Sequence, residues 1–309
     1  MLFVDNPKEF HRILPGFLPG TLKPAGNGAH HDLFGSGIPT LMTADNPENE
    51  TGDFWTSFHL VHRASVSQYD ALREVIATRR DLPGHVLCLA LSGEDFHGQQ
   101  ARGWVAEAGN LHITAGLRCD LEAANCGLAL TMLPAVAIVD ALAALGSPPG
   151  GVGIKWVNDI LIDDKKIGGV LTSARSLDGR IRSAVLGIGL NVMVSPTVSP
   201  TPFTPGVTCL KDCMPLPEDG LTKVLRLVMA ALERRFEELV VEGPGPLLEA
   251  YRSASLILDR EVEIRPDDNP SGPHRRGRVL AIGPDLALTL TDGPEPVTSG
   301  RLVLLPDQD

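Results

Sequence analysis

The chain has 309 residues, 43% of them hydrophobic and 21% charged, with a formal net charge of −11. That length accommodates one substantial core plus a smaller module, and the composition excludes disordered and fibrous classes. The acidic balance speaks against a nucleic-acid surface, which needs a basic stripe to neutralise phosphates, but leaves room for a local positive site.

Residues 1–55 are rich in Pro, Gly and Asn, include His30-His31 and end in the acidic run Glu48–Asp53. No 3.6-residue periodicity persists there, so this segment is expected to be an irregular N-terminal extension without a helix-turn-helix. No basic start followed by an apolar core marks a signal peptide. Phe58–His62 alternates as a strand, and 66–79 reads as a helix capped by Ser65 or Ser67. Val86–Leu91 is a continuous apolar run, which predicts a strand buried on both faces. A polar loop over 92–108 precedes a strand at 111–117. Leu128–Leu145 is the longest apolar stretch. Its Thr131, Pro134 and Asp140 fit a buried helix better than a membrane span, and Gly146 with Pro148-Pro149 ends it.

After the segment 155–171, a strand covers 183–192 and a Pro/Ser/Thr loop covers 195–206. Leu221, Val224, Leu225, Val228, Leu232 and Phe236 then trace one helical face, closed by Gly243-Pro244. A last helix is expected to reach about Leu258. Short strands follow at 261–265, 278–282, 286–290 and 297–305, separated by turns, which predicts a small β-barrel. The five cysteines, at 88, 119, 126, 209 and 213, complete no zinc pattern. They read as buried thiols of a cytoplasmic protein.

Residues 155–171 carry the chemistry. Lys155-Trp156-Val157-Asn158-Asp159-Ile160-Leu161-Ile162 and Lys165-Lys166-Ile167-Gly168-Gly169-Val170-Leu171 read as two strands joined by an Asp163-Asp164 turn. A cation and an Asn-Asp pair sit inside one strand. The paired glycines weaken the other strand unless something approaches its backbone. That combination points to a pocket for an anionic or carboxylate-bearing ligand; a solvated hairpin with a simple bulge is the competing reading.

The same stretch resembles the lysine-Trp-Pro-Asn-Asp segment of biotin protein ligases, with Val157 in place of proline. Lys166-Ile167-Gly168-Gly169 is similar to the family's lysine-aliphatic-small-glycine element, and Gly187–Val192 to its Gly-Ile-Gly-aliphatic-Asn-Val strand. Ser65-Val66-Ser67 aligns with a Ser-Thr-Asn element, and Val207–Lys211 resembles an Ala-Thr-Ser-Leu segment. Phe96–Trp104, followed by Gly109-Asn110-Leu111, is in register with the family's Gly-Arg-Gly-Arg-x-Gly-Arg-x-Trp loop. His97 and Gln99, however, stand where arginines would be.

The resemblance implies an α+β fold: a mixed β-sheet flanked by helices, like class II aminoacyl-tRNA synthetases, over 56–258, with an SH3-like β-barrel over 259–309. It implies a ligase that makes biotinyl-5′-AMP from biotin and ATP and passes biotin to a lysine of a carboxylase's biotin carboxyl carrier domain. Lys166 is the implied catalytic cation. Ser65, Ser67, Gly98, Trp104, Lys166, Gly168 and Gly169 are implied for biotin, and His97, Gln99, Arg102, Lys155, Asn158, Asp159 and Asn191 for the adenylate. Asp159 is the candidate Mg ligand. A homodimer without DNA or membrane partners is expected. A lipoate or octanoate ligase or transferase of the same superfamily, or a non-catalytic sensor of biotin or its adenylate, are the alternatives. A neutral glutamine cannot replace a bidentate guanidinium, so weaker retention of the adenylate is expected.

Overall fold

The computed structural model describes residues 1–18, 21–24, 42–44, 54–78, 82–267 and 274–306. Its first part contains β1 (Leu2–Val4), α1 (Pro7–Ile13), β2 (Lys23–Pro24), β3 (Met42–Ala44), β4 (Trp55–Ala64), α2 (Gln68–Thr78), β5 (His85–Gly93) and β6 (Leu111–Glu122). Then come α3 (Ala123–Cys126), α4 (Ala129–Leu145), β7 (Gly153–Lys155), β8 (Asp159–Ile162), β9 (Lys165–Leu177) and β10 (Arg180–Leu190). The chain continues through α5 (Leu210–Cys213), α6 (Gly220–Glu242), α7 (Gly245–Ser253) and β11 (Glu261–Arg265). It closes with β12 (Arg275–Ile282), β13 (Leu288–Leu290), β14 (Gly293–Val297) and β15 (Arg301–Leu304).

Ten strands form one mixed sheet in the order β2-β3-β1-β4-β5-β6-β10-β9-β8-β7, in which β1 and β5 run parallel to β4. The apolar run in β5 shows why the sheet is covered on both faces. Leu87, Leu89 and Leu91 join the larger core with α4 and α6, while Val86, Cys88 and Ala90 pack with Leu72 and Ile76 of α2. Successive strand residues point to opposite faces, so a strand apolar at every position needs a cover on each. α4 is likewise apolar all round, which suits a helix packed between the sheet and the outer helix α6. No helix among the described residues is long and apolar enough to cross a membrane.

Two expectations are corrected, for the N-terminal segment and for the end of the last helix. The N-terminal segment is not irregular throughout: β1 lies alongside β4, and β3 pairs with β1. Asn6 caps α1 by accepting the Glu9 N–H at 3.4 Å. Residues 19–20, 25–41 and 45–53, with His30-His31 and about half of the expected extension, lie outside the described residues. The last helix stops at Ser253, because Ile154 takes the next backbone groups: its N–H donates to Ala254 O and its carbonyl accepts from Leu256 N. The C-terminal strands form a five-stranded antiparallel sheet ordered β14-β13-β12-β11-β15, with no closing pair between its two edges among the described residues.

That small sheet is fastened to the main one. The Trp156 indole N–H donates to Leu286 O at 2.8 Å, and the Arg252 guanidinium reaches Ile282 O at 2.6 and 2.9 Å. Arg260 grips Asp164, in the turn between β8 and β9, at 2.8 and 3.1 Å.

Candidate functional site

The expected first strand of the hairpin is in fact two. β7 and β8 pair antiparallel with Gly153 opposite Leu161 and Lys155 opposite Asp159, so Trp156, Val157 and Asn158 form the turn between them. Distant groups decide this break: the Tyr251 hydroxyl donates to Val157 O at 3.0 Å, and Leu286 O takes the Trp156 indole. Asp163 and Asp164 form the second turn with φ of 47° and 58°, a left-handed conformation that short acidic side chains tolerate. Beyond it, Lys165 is exposed while Lys166 turns inward, as alternation along a strand requires.

The β7–β8 turn borders a cavity of about 470 Å³ whose walls come from seven parts of the chain. They are the start of α2, the loop 96–105, the start of β6, the β7–β9 region with β10, the loop 196–207, Asp267, and residues 298–302 of the C-terminal sheet. Lys166 Nζ lies 2.6 Å from Asp159 Oδ1 and 5.6 Å from the centroid of the Trp104 ring. The indole lies close against Gly189, where a Cβ would come within 2.5 Å of it. Its N–H points to Nδ1 of the buried His112 at 3.4 Å, and His112 Nε2 is 3.2 Å from Glu107 O. That pattern assigns the Nε2–H tautomer. Burial pushes the His112 pKa down to about 4, against the opposing pull of the Glu107 carbonyl.

Lys155 is 4% exposed, and its ammonium donates to Phe203 O at 2.5 Å. Burial pushes its pKa down to about 8; Lys166, Arg301 and Arg102 push the same way, and Asp159 opposes them. Asn158 donates to Val170 O at 2.7 Å. Buried Asn191 donates to Thr208 O at 3.1 Å, and its side-chain oxygen has no hydrogen-bond partner. An unpaired buried acceptor is costly, which suits a position kept for a ligand's donor.

Of the residues expected to meet biotin, Ser67, Gly98, Trp104, Lys166 and Gly169 line the cavity. Ser65 is exposed and Gly168 is buried, and neither is in the wall. Gly168 serves the sheet instead, since a Cβ there would come within 2.9 Å of Gly189 O. All seven residues expected to meet the adenylate line the wall. His97, though, has Nε2 at 2.6 Å from Asp70 Oδ2 and Nδ1 at 3.0 Å from Gly98 O. An acceptor faces each nitrogen, which favours the protonated ring: the Gly98 carbonyl and Asp70 hold the imidazole pKa above its usual value. Sequence reasoning missed Asp70, His112, Phe203 and Arg301. Only the Pro/Ser/Thr run around Phe203 carried any local signal, and it read as a plain loop.

Residues 117–191 match the profile of the Biotin/lipoate A/B protein ligase family. The biotin--[acetyl-CoA-carboxylase] ligase of Paracoccus denitrificans is 32% identical over 184 residues, 57% of this chain and 73% of that protein. The chain belongs to the biotin protein ligase family. The bifunctional ligase/repressor BirA of Bacillus subtilis is 27% identical over 210 residues, 67% of this chain, and the chain spans 62% of that relative's length. The fold agrees: a biotin protein ligase from Aquifex aeolicus, solved in complex with biotin and ATP, has a TM-score of 0.59 at 17% identity. That match covers 81% of this chain and 99% of the other. Within that fold, one cavity gathers Lys155, Lys166 and Trp104 with the loop that bears His97 and Gln99.

Proposed function

We propose that the chain is an ATP-dependent biotin protein ligase. A biotin carboxylate oxygen attacks the α-phosphorus of ATP, forming biotinyl-5′-AMP and expelling pyrophosphate. The ε-amine of a lysine on a carboxylase's biotin carboxyl carrier domain then attacks the acyl carbon and expels AMP. The reading rests on the Lys166–Asp159 pair at 2.6 Å, set beneath Trp104 in the cavity. A carboxylate and a polyphosphate repel one another, so a fixed cation between them lowers the barrier by stabilising the charge that develops there. In this reading Lys166 is that cation and Asp159 positions it. Ser67, Gly98, Trp104 and Gly169 face biotin, while Lys155, Asn158, Arg102, Gln99 and Asn191 face the nucleotide.

No group of three His, Cys, Asp or Glu side chains suited to a metal occurs among the described residues, and Lys166 already engages Asp159. Magnesium would enter with the triphosphate, with Asp159 of the cavity wall as its candidate protein ligand, and no step is assigned to it. The reading includes three segments, 1–55, 56–258 and 259–309, and a cytoplasmic homodimer, which sedimentation tests.

Incubating the protein with ATP, magnesium and biotin, lipoate or octanoate, and measuring pyrophosphate, tests the chemistry. Release with biotin alone, followed by biotin transfer to a carrier domain, is the expected result. Release only with lipoate or octanoate would move the protein to that branch of the superfamily. No release with any acid would favour a non-catalytic sensor, the reading that neutral Gln99 and the Asp70-bound His97 support.

A further inference from the structure

The cavity wall is positively charged on a chain whose net charge is −11. Its charged side chains are Lys155, Lys166, Arg102, Arg301 and His97, the last already paired with Asp70 outside the wall, against Asp159 and Asp267. Lys166 and Asp159 neutralise each other at 2.6 Å. Three cations then remain for one carboxylate, and like charges gathered in a partly buried pocket oppose folding unless an anion joins them.

Arg301 is the unexpected member. It opens β15, and Thr298, Ser299, Gly300 and Leu302 beside it also line the cavity. Its guanidinium carbon lies 3.5 Å from the centroid of the Phe203 ring, and its buried Nε has no hydrogen-bond partner. The Phe203 carbonyl accepts from Lys155 Nζ at 2.5 Å. One residue therefore holds two cations side by side, one through its carbonyl and one through its ring. Packing against an aromatic face explains the stacking. It does not explain a guanidinium facing the cavity near Arg102 and Lys155, where burial and Arg102 disfavour its charge.

We propose that Arg301, delivered by the C-terminal sheet and steered by Phe203, joins Lys155 and Arg102 in binding the phosphates of the nucleotide, replacing the charge that Gln99 lacks. The inference deepens the ligase reading and rests on it for the identity of the anion. A guanidinium suits the task because its fork matches phosphate oxygens. The stacked ring also fixes its plane before the ligand arrives, which limits the entropy lost on binding.

The test uses the full chain with Arg301→Gln, which keeps length and polarity without charge, and Arg301→Lys, which keeps charge without the fork. Inorganic pyrophosphate is the first probe, read by calorimetry. Arg301→Gln should weaken its binding at least tenfold, with Arg301→Lys in between. Arg265→Ala removes the other guanidinium near Phe203, one bonded to Glu263 at 2.6 Å and outside the cavity wall, and should change affinity less than twofold. With biotin present, Arg301→Gln should raise the KM for ATP while leaving the affinity for biotin alone within twofold. Equal pyrophosphate affinity in wild type and Arg301→Gln, or no binding by wild type, overturns the proposal. Arg301-dependent pyrophosphate binding without adenylation of any acid would instead uphold the anion site and reject the ligase reading.

Discussion

Titration of Lys155 should weaken binding of biotinyl-AMP about tenfold between pH 7 and 9. In the free protein burial holds this amine's pKa at about 8, so it is roughly nine-tenths protonated at pH 7 and one-tenth at pH 9. A phosphate beside it favours the charged form and restores the ordinary value of 10.5 or above. The binding-competent fraction then falls about tenfold, equivalent to ~1.4 kcal/mol. Calorimetry in buffers of different ionisation enthalpy should detect uptake of about half a proton at pH 8 and about 0.9 at pH 9. Lys155→Met should bind more weakly and lose this tenfold contribution to the slope. Stability should move the opposite way. Between the folded value of about 8 and the unfolded 10.5, the unfolded chain binds more protons, so the free protein gains up to ~3 kcal/mol as pH rises through that interval. Lys155→Met should lack that rise. A wild-type affinity that stays flat from pH 7 to 9, or the same slope in Lys155→Met, would refute the reasoning.

Lys166→Met should lower pyrophosphate release with biotin about 10²- to 10³-fold, the usual cost of losing one preorganised electrostatic contact to a transition state. The His97–Asp70 pair should make retention of the adenylate pH-dependent. The folded pKa of His97 is raised, so the attachment is complete below the ordinary histidine range and lost as pH rises through the raised value. Stopped-flow release of biotinyl-AMP should therefore accelerate across that window in wild type and be fast and flat in Asp70→Asn; a flat wild-type profile would remove the loop from control by His97. Gly189→Ala places a Cβ 2.5 Å from the Trp104 ring and should weaken biotin at least tenfold. Gly179→Ala, at φ +74° with open space around it, should cost ~1 kcal/mol of stability and leave biotin binding unchanged, as equilibrium unfolding and calorimetry can show.

What was legible in the sequence is what local rules encode. Strict alternation separated Lys165 from Lys166, acidic turn residues located the β8–β9 turn, and the uniformly apolar β5 announced two covered faces. The misreadings share one cause, which is that a distant group overrode a local preference. Trp156-Val157 is good strand sequence, yet the Tyr251 hydroxyl, 94 residues from Val157, and the Leu286 carbonyl, 130 residues from Trp156, hold it in a turn. Residues 254–256 leave the helix because Ile154 offers hydrogen bonds in a strand geometry. His97 stands where the family resemblance places an arginine, yet its Nε2 is taken by Asp70, 27 residues earlier, rather than left free for a ligand.

The same contacts explain why the C-terminal sheet belongs to the site rather than trailing after it. Trp156, Arg252 and Arg260 tie that sheet to the hairpin and to α7 by hydrogen bonds of 2.6–3.1 Å. A tether at the β8–β9 turn and another at the β7–β8 turn fix the sheet's position relative to Lys155 and Lys166. Cationic pockets need such rigidity, because a loosely held arginine would swing into water instead of remaining near other cations. Gln99 leaves the loop without a charge at its position and Arg301 adds one from the C-terminal sheet, so nucleotide binding in this chain should depend on docking of that sheet. Breaking the Arg260–Asp164 link should therefore impair the nucleotide site before it impairs the biotin site.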